Sequence, residues 1–124
     1  MKNSPLLIVL GEPNSIFSEI LFKAYKKKII QKFNRPIVII GSENLLKLQM
    51  KFLKYSIKIQ KINIRDLKNL NLNKKYINMI NVDYKFNKVF EKISNNSNNY
   101  INNCFKIALK LLKEKLYKNL IDQL

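Results

Sequence analysis

The sequence predicts an α/β fold, with a layered, largely parallel sheet and flanking helices. Two apolar runs, residues 5–10 and 36–40, each end at a glycine and are followed by segments with helical spacing. Such runs are typical of strands that are buried on both faces of a parallel sheet. Strand, turn and helix then alternate along the chain, so we expect residues 1–124 to form a single, partial α/β domain.

The first run predicts a strand that is buried on both faces and ends at Gly11. A turn follows, and either Asn14 or Ser15 can cap a helix by accepting from its free N–H groups. Apolar side chains at spacings of three and four place one helical stripe on the core, and the basic residues 26–28 lie inside this predicted helix. The stripe consists of Ile16, Phe17, Ile20, Leu21, Ala24, Tyr25 and Ile29.

Residues 36–40 predict a second buried strand, which ends at Gly41. Ser42 is a good N-cap for a short apolar helix that follows. Residues 57–64 alternate between apolar and polar with one slip, which predicts a half-exposed, bulged strand. The polar residues 65–75 predict a loop, and residues 76–82 predict another short strand.

The last third of the chain contains a predicted loop, rich in asparagine and serine, at residues 92–99. The clearest helix follows it. Cys104 lies in the apolar stripe of that helix, so we interpret it as a packed core residue rather than a reactive thiol. Leu120 and Ile121 predict the start of a further strand, which indicates the front piece of a larger domain. The stripe consists of Ile101, Cys104, Phe105, Ala108, Leu109, Leu112 and Leu116.

The net charge of +16 raises the question of an anionic partner such as nucleic acid or a membrane. However, 22 basic residues are lysine and only 2 are arginine, the side chain that binds guanine and phosphate with two parallel bonds. Lysine, asparagine and isoleucine are abundant and have AT-rich codons, so an AT-rich genome explains the bias. The aromatic residues fall mostly at core spacings, which argues against a base-stacking surface. We therefore expect no membrane partner, and we do not favour nucleic acid as a partner.

Histidine is absent and Cys104 is the single cysteine. The chain thus lacks the commonest metal ligand and the commonest general base near neutral pH. One cysteine excludes an internal disulfide and a zinc cluster. A free cysteine is typical of a reducing compartment, so we expect a cytoplasmic protein.

One strand-to-helix loop carries a further signal, the segment Gly-Glu-Pro-Asn-Ser-Ile-Phe-Ser-Glu at residues 11–19. A glycine allows close backbone approach, and the helix N-terminus behind it attracts anions. The loop is neither the dinucleotide fingerprint G-x-G-x-x-G nor a P-loop, because glycine occurs only at positions 11 and 41. From these residues alone, a tight structural turn and a ligand-binding edge are both open.

The same loop resembles the opening of the 4-hydroxythreonine-4-phosphate dehydrogenase family of pyridoxal phosphate biosynthesis. Members of that family have an apolar strand, then Gly-Asp-Pro-Ala-Gly-Ile-Gly-Pro-Glu, then a helix. Residues 35–41 and 100–122 are similar to two later blocks of the family, and residues 14, 15, 17 and 18 depart from its loop. Glu12 keeps the family's charge, and four residues match at identical spacing: Gly11, Pro13, Ile16 and Glu19.

The resemblance implies an isocitrate/isopropylmalate dehydrogenase-like fold, a homodimer, and an enzyme that oxidises and decarboxylates 4-phosphooxy-threonine with NAD and a divalent metal. It makes Gly11, Glu12 and Pro13 the candidate cofactor-binding residues. The family's metal-binding histidines lie beyond the matched blocks, so we expect this chain to have no catalytic or metal-binding residue, to bind no cofactor alone and to be inactive alone. A small basic nucleic-acid-binding protein and a degenerate paralogue with a scaffold role stay open as alternatives.

Overall fold

The computed structural model describes residues 5–11, 13, 16–67, 72–85 and 95–122. Within these residues, one parallel sheet contains four strands in the order β1-β2-β4-β3. The α/β class predicted from the sequence is confirmed. The strands are β1 (Leu6–Val9), β2 (Ile37–Gly41), β3 (Ile59–Lys61) and β4 (Ile77–Asn81); the helices are α1 (Phe17–Lys26), α2 (Glu43–Phe52) and α3 (Asn95–Asp122); and 3-10 turns lie at Ile30–Lys32 and Ile64–Asp66.

The sheet lies between two helical layers because its side chains alternate between the two faces. In β2, Ile37 and Ile39 pack in a cluster with α1 and α2, whereas Val38 and Ile40 pack in a second cluster with α3. Every residue of β2 is buried, so the predicted strand with two covered faces is confirmed there. The predicted strand at residues 76–82 is confirmed as β4, the other central strand.

The two edge strands differ from their predictions. β1 is half-buried and Leu6 is 38% exposed, because β1 pairs with β2 on one side and the described residues place no strand on the other. The prediction of a first strand buried on both faces is therefore wrong. β3 covers only three residues, and its register against β4 runs without a bulge from Ile59 opposite Ile77 to Lys61 opposite Met79.

The first helix lies one residue out of phase with the predicted stripe. Its buried side chains are Ser18, Leu21, Phe22 and Tyr25, which follow the spacing of three, four and seven that one helix face requires. Phe22 is fully buried and was absent from the predicted stripe. The prediction was wrong for three isoleucines, which are exposed: Ile16, Ile20 and Ile29.

The ends of α1 also differ from the prediction. The helix ends at Lys26, so the basic residues 27 and 28 lie outside it, and Lys28 turns the chain with a left-handed φ of 60°. The predicted caps Asn14 and Ser15 lie outside the described residues. By contrast, Ser42 caps α2 as predicted, because its side chain accepts from the N–H of Leu45 at 3.2 Å.

The third helix is longer than the sequence predicts at both ends. It already includes Asn95–Asn99, part of the predicted loop, and Ser97 is buried there, so tertiary burial overrides the turn preference of these residues. Residues 92–94 lie outside the described part. At the other end the backbone stays helical to Asp122, and the predicted strand at residues 120–121 is wrong. Leu112, Leu116 and Leu120 keep the four-residue spacing of a helix.

Only part of the predicted stripe of α3 packs on the sheet. Tyr100, Cys104 and Ala108 are buried, and the interpretation of Cys104 as a core residue is confirmed by its 0% exposure. Phe105, Leu109 and Leu112 remain exposed at 49%, 57% and 47%. No helix in the described residues is both long and apolar enough to cross a bilayer.

Candidate functional site

The carboxyl ends of β1, β2 and β4 meet at one edge of the sheet, beside the starts of α1 and α2. In parallel α/β sheets the loops at this edge form the ligand sites. We call this region the carboxyl edge. Its described residues include Gly11 and Pro13 after β1, Ser42 after β2, Asn81 at the end of β4, and Tyr100, which α3 brings to the same place.

The loop after β1 contains the candidate residues identified in the sequence. Gly11 has a φ of +71°, and apart from its chain neighbours no described atom lies within 4 Å of a Cβ built on it. Backbone conformation rather than lack of space therefore favours glycine at this position. Pro13 is buried, and its carbonyl accepts a hydrogen bond from Nε2 of Gln49 at 3.0 Å, which ties the loop to α2. The third candidate, Glu12, lies outside the described residues.

The start of α1 has one buried polar side chain without a partner among the described residues. Ile16 occupies the N-cap position, and no described side chain caps the helix there. In the first turn, the hydroxyl of Ser18 is buried and has no hydrogen-bond partner among the described residues. The start of a helix carries a partial positive charge. At the α1 end of the carboxyl edge, the Ser18 hydroxyl is therefore a donor for which the described residues supply no acceptor.

At the start of α2, by contrast, the backbone N–H groups donate to side chains of the protein. The N–H of Ser42 donates to the Tyr100 hydroxyl at 2.8 Å, and the N–H of Glu43 donates to Oδ1 of Asn81 at 2.9 Å. The N–H of Leu45 donates to the Ser42 hydroxyl, as described above. Because three N–H groups at this helix start already have partners, the α2 end offers few donors to a ligand.

Two described acidic groups near this edge, Glu43 and Asp83, also have protein partners. The Glu43 carboxylate lies 3.6 Å from Nζ of Lys47 and 3.9 Å from Nζ of Lys61. The carboxylate of Asp83 accepts from Nδ2 of Asn81 at 3.1 Å. Among the described side chains, no three histidine, cysteine, aspartate or glutamate residues come together as a metal site would require.

Tyr100 belongs to a buried polar cluster behind the edge. Its ring stacks on Tyr84 with 4.6 Å between the centroids. Burial raises the pKa of Tyr100 well above its ordinary value, and burial also raises the pKa of Cys104 to about 11. Both groups are therefore neutral near pH 7 and serve as hydrogen-bonding and packing groups rather than as a base or a nucleophile.

A small cavity lies between the β1 loop, α1, α2 and α3. Its volume is about 10 Å³, which accommodates no more than one water molecule. A dinucleotide cannot enter it. The residues around it are Leu10, Gly11, Pro13, Ser18, Leu45, Gln49 and Tyr100.

Comparison with known proteins supports the fold described above. No protein-family model and no curated protein sequence matches the chain. Among solved structures, the chain superposes on a 4-hydroxythreonine-4-phosphate dehydrogenase from Burkholderia phymatum with a TM-score of 0.76, at 16% identity and over 91% of its own length. The chain has the fold of a 4-hydroxythreonine-4-phosphate dehydrogenase segment.

A second structure, assigned as a 4-hydroxythreonine-4-phosphate dehydrogenase from Salmonella typhimurium, superposes with a TM-score of 0.73 over 92% of this chain, at 21% identity. The resemblance inferred from the glycine-proline loop is thereby confirmed at the level of fold. The chain spans 34% of the length of each of these dehydrogenases, so its sheet is an incomplete version of theirs.

Sequence reasoning missed most of the polar residues at the carboxyl edge of this dehydrogenase-like sheet. Gln49 and Asn81 were not singled out, Ser18 was noted only as a departure from the family's loop, and Tyr100 only as part of a matching block. For Asn81, a usable signal was present, because a polar side chain at the carboxyl end of a strand lies where ligand loops begin. For Gln49, the apolar surroundings of a helix gave no such signal.

Proposed function

We propose that the chain is one scaffold segment of a 4-hydroxythreonine-4-phosphate dehydrogenase, an enzyme that in complete form oxidises and decarboxylates 4-phosphooxy-threonine with NAD and a divalent metal. The observation that carries the proposal is the superposition on two such dehydrogenases over 91% and 92% of this chain. The match of Gly11 and Pro13 to the opening loop of the family supports it independently.

The described residues do not make a complete site for either the metal or NAD. The carboxylates of Glu43 and Asp83 are engaged by protein partners, and the cavity at the carboxyl edge has room for one water molecule. The proposal therefore assigns no chemical step to this chain. Metal ligands and the groups that bind substrate come from the remaining two thirds of such an enzyme.

Within that enzyme, we propose that the loop from Gly11 to Pro13 lines one side of the cofactor-binding site. The left-handed Gly11 keeps the backbone free of a side chain where the loop leaves β1. The bond from Gln49 to the Pro13 carbonyl fixes the loop, and the helix dipole at the start of α1 beside it favours a negatively charged group such as a phosphate or carboxylate.

An NADH assay tests the proposal. The 124-residue chain, mixed with 4-phosphooxy-threonine, NAD and Mg²⁺ or Mn²⁺, is expected to give no rise in absorbance at 340 nm. The same chain extended by the coding sequence that follows residue 124 is expected to give NADH. Turnover by the 124-residue chain would refute its assignment as an inactive segment, and an extension without histidines and without turnover would refute the family assignment.

Two variants test the role of Gly11 in the same assay. In the extended protein, Gly11→Ala is expected to lower kcat/KM for NAD because alanine disfavours the left-handed φ. Asn102→Ala, an exposed position on α3, is the matched control and is expected to leave kcat/KM unchanged. The implied homodimer is part of the same proposal, and sedimentation equilibrium of the extended protein measures it.

The degenerate-paralogue alternative predicts a different outcome. Such a protein keeps the fold and the histidine-containing extension, but it produces no NADH at any concentration of 4-phosphooxy-threonine. Binding of NAD to the extended protein, measured by calorimetry, then distinguishes a paralogue that has lost catalysis from one that has also lost the cofactor site.

A further inference from the structure

A second concave surface lies at the opposite edge of the sheet, where β3 and β4 begin. It is formed by the end of α1, the segment that precedes β3 and the turn that precedes β4, and we call it the amino-edge groove. Its volume is about 490 Å³, within the range of about 300–1,000 Å³ that is usual for small-molecule sites. Four lysines line it: Lys26, Lys54, Lys58 and Lys75.

No carboxylate of the described residues neutralises the positive charge in this groove. The lining contains no carboxylate. The ion pairs found among the described residues involve the lysines at positions 23, 47 and 61, and none of the four groove lysines takes part. Four uncompensated ammonium groups around one concavity repel one another, and an anion placed between them removes that repulsion.

Aromatic rings hold two of these lysines in place. Nζ of Lys26 lies 5.6 Å from the ring centroid of Tyr55, and Nζ of Lys58 lies 4.8 Å from that of Tyr76. Cation–π contacts of this kind restrict flexible side chains without consuming their charge. The ammonium groups are therefore partly ordered before a ligand arrives, which lowers the entropy cost of binding.

A tyrosine adds a neutral donor to the same groove. Tyr25 lines the groove and, as a residue, is only 6% exposed. Burial raises the pKa of Tyr25 to about 12, so the hydroxyl keeps its proton at physiological pH and can donate to an anionic oxygen.

We propose that the amino-edge groove binds the phosphate chain of a ligand that carries two or more adjacent phosphate groups. A chain of phosphates matches several ammonium groups at once, and lysine binds phosphate as a point charge without needing the planar geometry of arginine. The site lies at the edge of the sheet remote from Gly11, so it is independent of the proposed dehydrogenase role. A free polyphosphate and a nucleoside triphosphate both present this chemistry, whereas the phosphates of a nucleic-acid strand are separated by sugars.

Calorimetry on the 124-residue protein tests the proposal with three probes: inorganic triphosphate, ATP and a dT oligonucleotide. The groove variant is Lys26→Gln/Lys58→Gln. The control is Lys106→Gln/Lys110→Gln on the exposed side of α3, which changes the net charge by the same amount. The groove variant is expected to weaken triphosphate binding about tenfold or more, and the control about twofold or less, since lost charge-assisted bonds cost far more than lost distant charge.

A third variant, Tyr25→Phe, removes the hydroxyl and keeps the net charge and the ring. It is expected to weaken triphosphate binding about threefold or more, an effect that general charge attraction does not produce. Equal weakening by the groove and control variants, or no binding of any probe at low salt, would overturn the proposal. Selective weakening for the oligonucleotide alone would also overturn the assignment to a phosphate chain, because it would point to a nucleic-acid strand instead.

Discussion

The Tyr100 hydroxyl accepts a hydrogen bond from the backbone N–H of Ser42 at 2.8 Å, between residues that are 58 positions apart in the sequence. Tyr100 belongs to α3 on one face of the sheet, and Ser42 begins α2 on the other face. The bond therefore joins the two helical layers across the carboxyl edge. It also uses a donor at the start of α2 that would otherwise be open to a ligand.

Tyr100→Phe tests the energetic weight of this bond. The substitution keeps the ring and leaves the buried N–H of Ser42 without a partner, so the free energy of unfolding is expected to fall by about 1–3 kcal/mol. Urea denaturation followed by circular dichroism measures the change. Tyr55→Phe is the matched control, because no described group is hydrogen-bonded to the Tyr55 hydroxyl, and it is expected to change stability by less than about 0.5 kcal/mol. Equal losses in the two variants would contradict this account.

Gly41→Ala is expected to destabilise the protein because of crowding at the end of β2. A Cβ on Gly41 would clash with Cδ1 of Leu10 and would lie 2.9 Å from the Tyr100 hydroxyl. The hydroxyl is held by Ser42, so it cannot move away without loss of that bond. We expect a loss of about 1–3 kcal/mol in urea denaturation, the usual cost of overpacking.

A double-mutant cycle separates the two contacts of Gly41. Leu10→Ala removes the closer clash. The loss of unfolding free energy in the double variant is therefore expected to be smaller than the sum of the losses in the two single variants. If the two single losses of unfolding free energy simply add, the contact with Leu10 is not the cause of the destabilisation in Gly41→Ala.

Local signals in the sequence were sufficient for the centre of the fold. The apolar run before Gly41 predicts β2, and Ser42 predicts the start of α2, because both depend on residues adjacent in the chain. The same kind of signal failed for α1. Several faces of that helix carry apolar residues, and only the sheet that it meets decides that Phe22 is buried and Ile20 is exposed.

The candidate site was predictable only in part, for a related physical reason. The glycine at position 11 is visible in the sequence because it follows an apolar strand. The partners that shape the edge come from elsewhere: Tyr100 from α3, Asn81 from β4 and Gln49 from α2. Such contacts depend on the order of strands in the sheet, which hydrophobic periodicity does not specify.

Alkaline pH is expected to destabilise the protein through its buried thiol. The pKa of Cys104 is raised from 9.0 to about 11 in the folded state, so between these values the unfolded chain releases a proton that the folded chain keeps. The contribution of Cys104 to the free energy of unfolding is therefore fully present below pH 9 and is lost as the pH rises toward 11. Urea denaturation at several pH values measures this decline, and in Cys104→Ala the slope between pH 9 and 11 is expected to be shallower. An unchanged slope would contradict the role of the thiol.

The exposed stripe on α3 is expected to make the 124-residue chain self-associate. Phe105, Leu109 and Leu112 lie four and three residues apart on one face and are each about half exposed, which is a contiguous apolar surface on a protein of net charge +16. Charge repulsion opposes association, so the average mass in sedimentation velocity is expected to rise with salt as repulsion is screened. Leu109→Gln is expected to shift the protein toward monomer, whereas Leu48→Gln on α2, the matched control, leaves the distribution unchanged. A monodisperse monomer at moderate salt and high concentration would show that this stripe alone does not drive association.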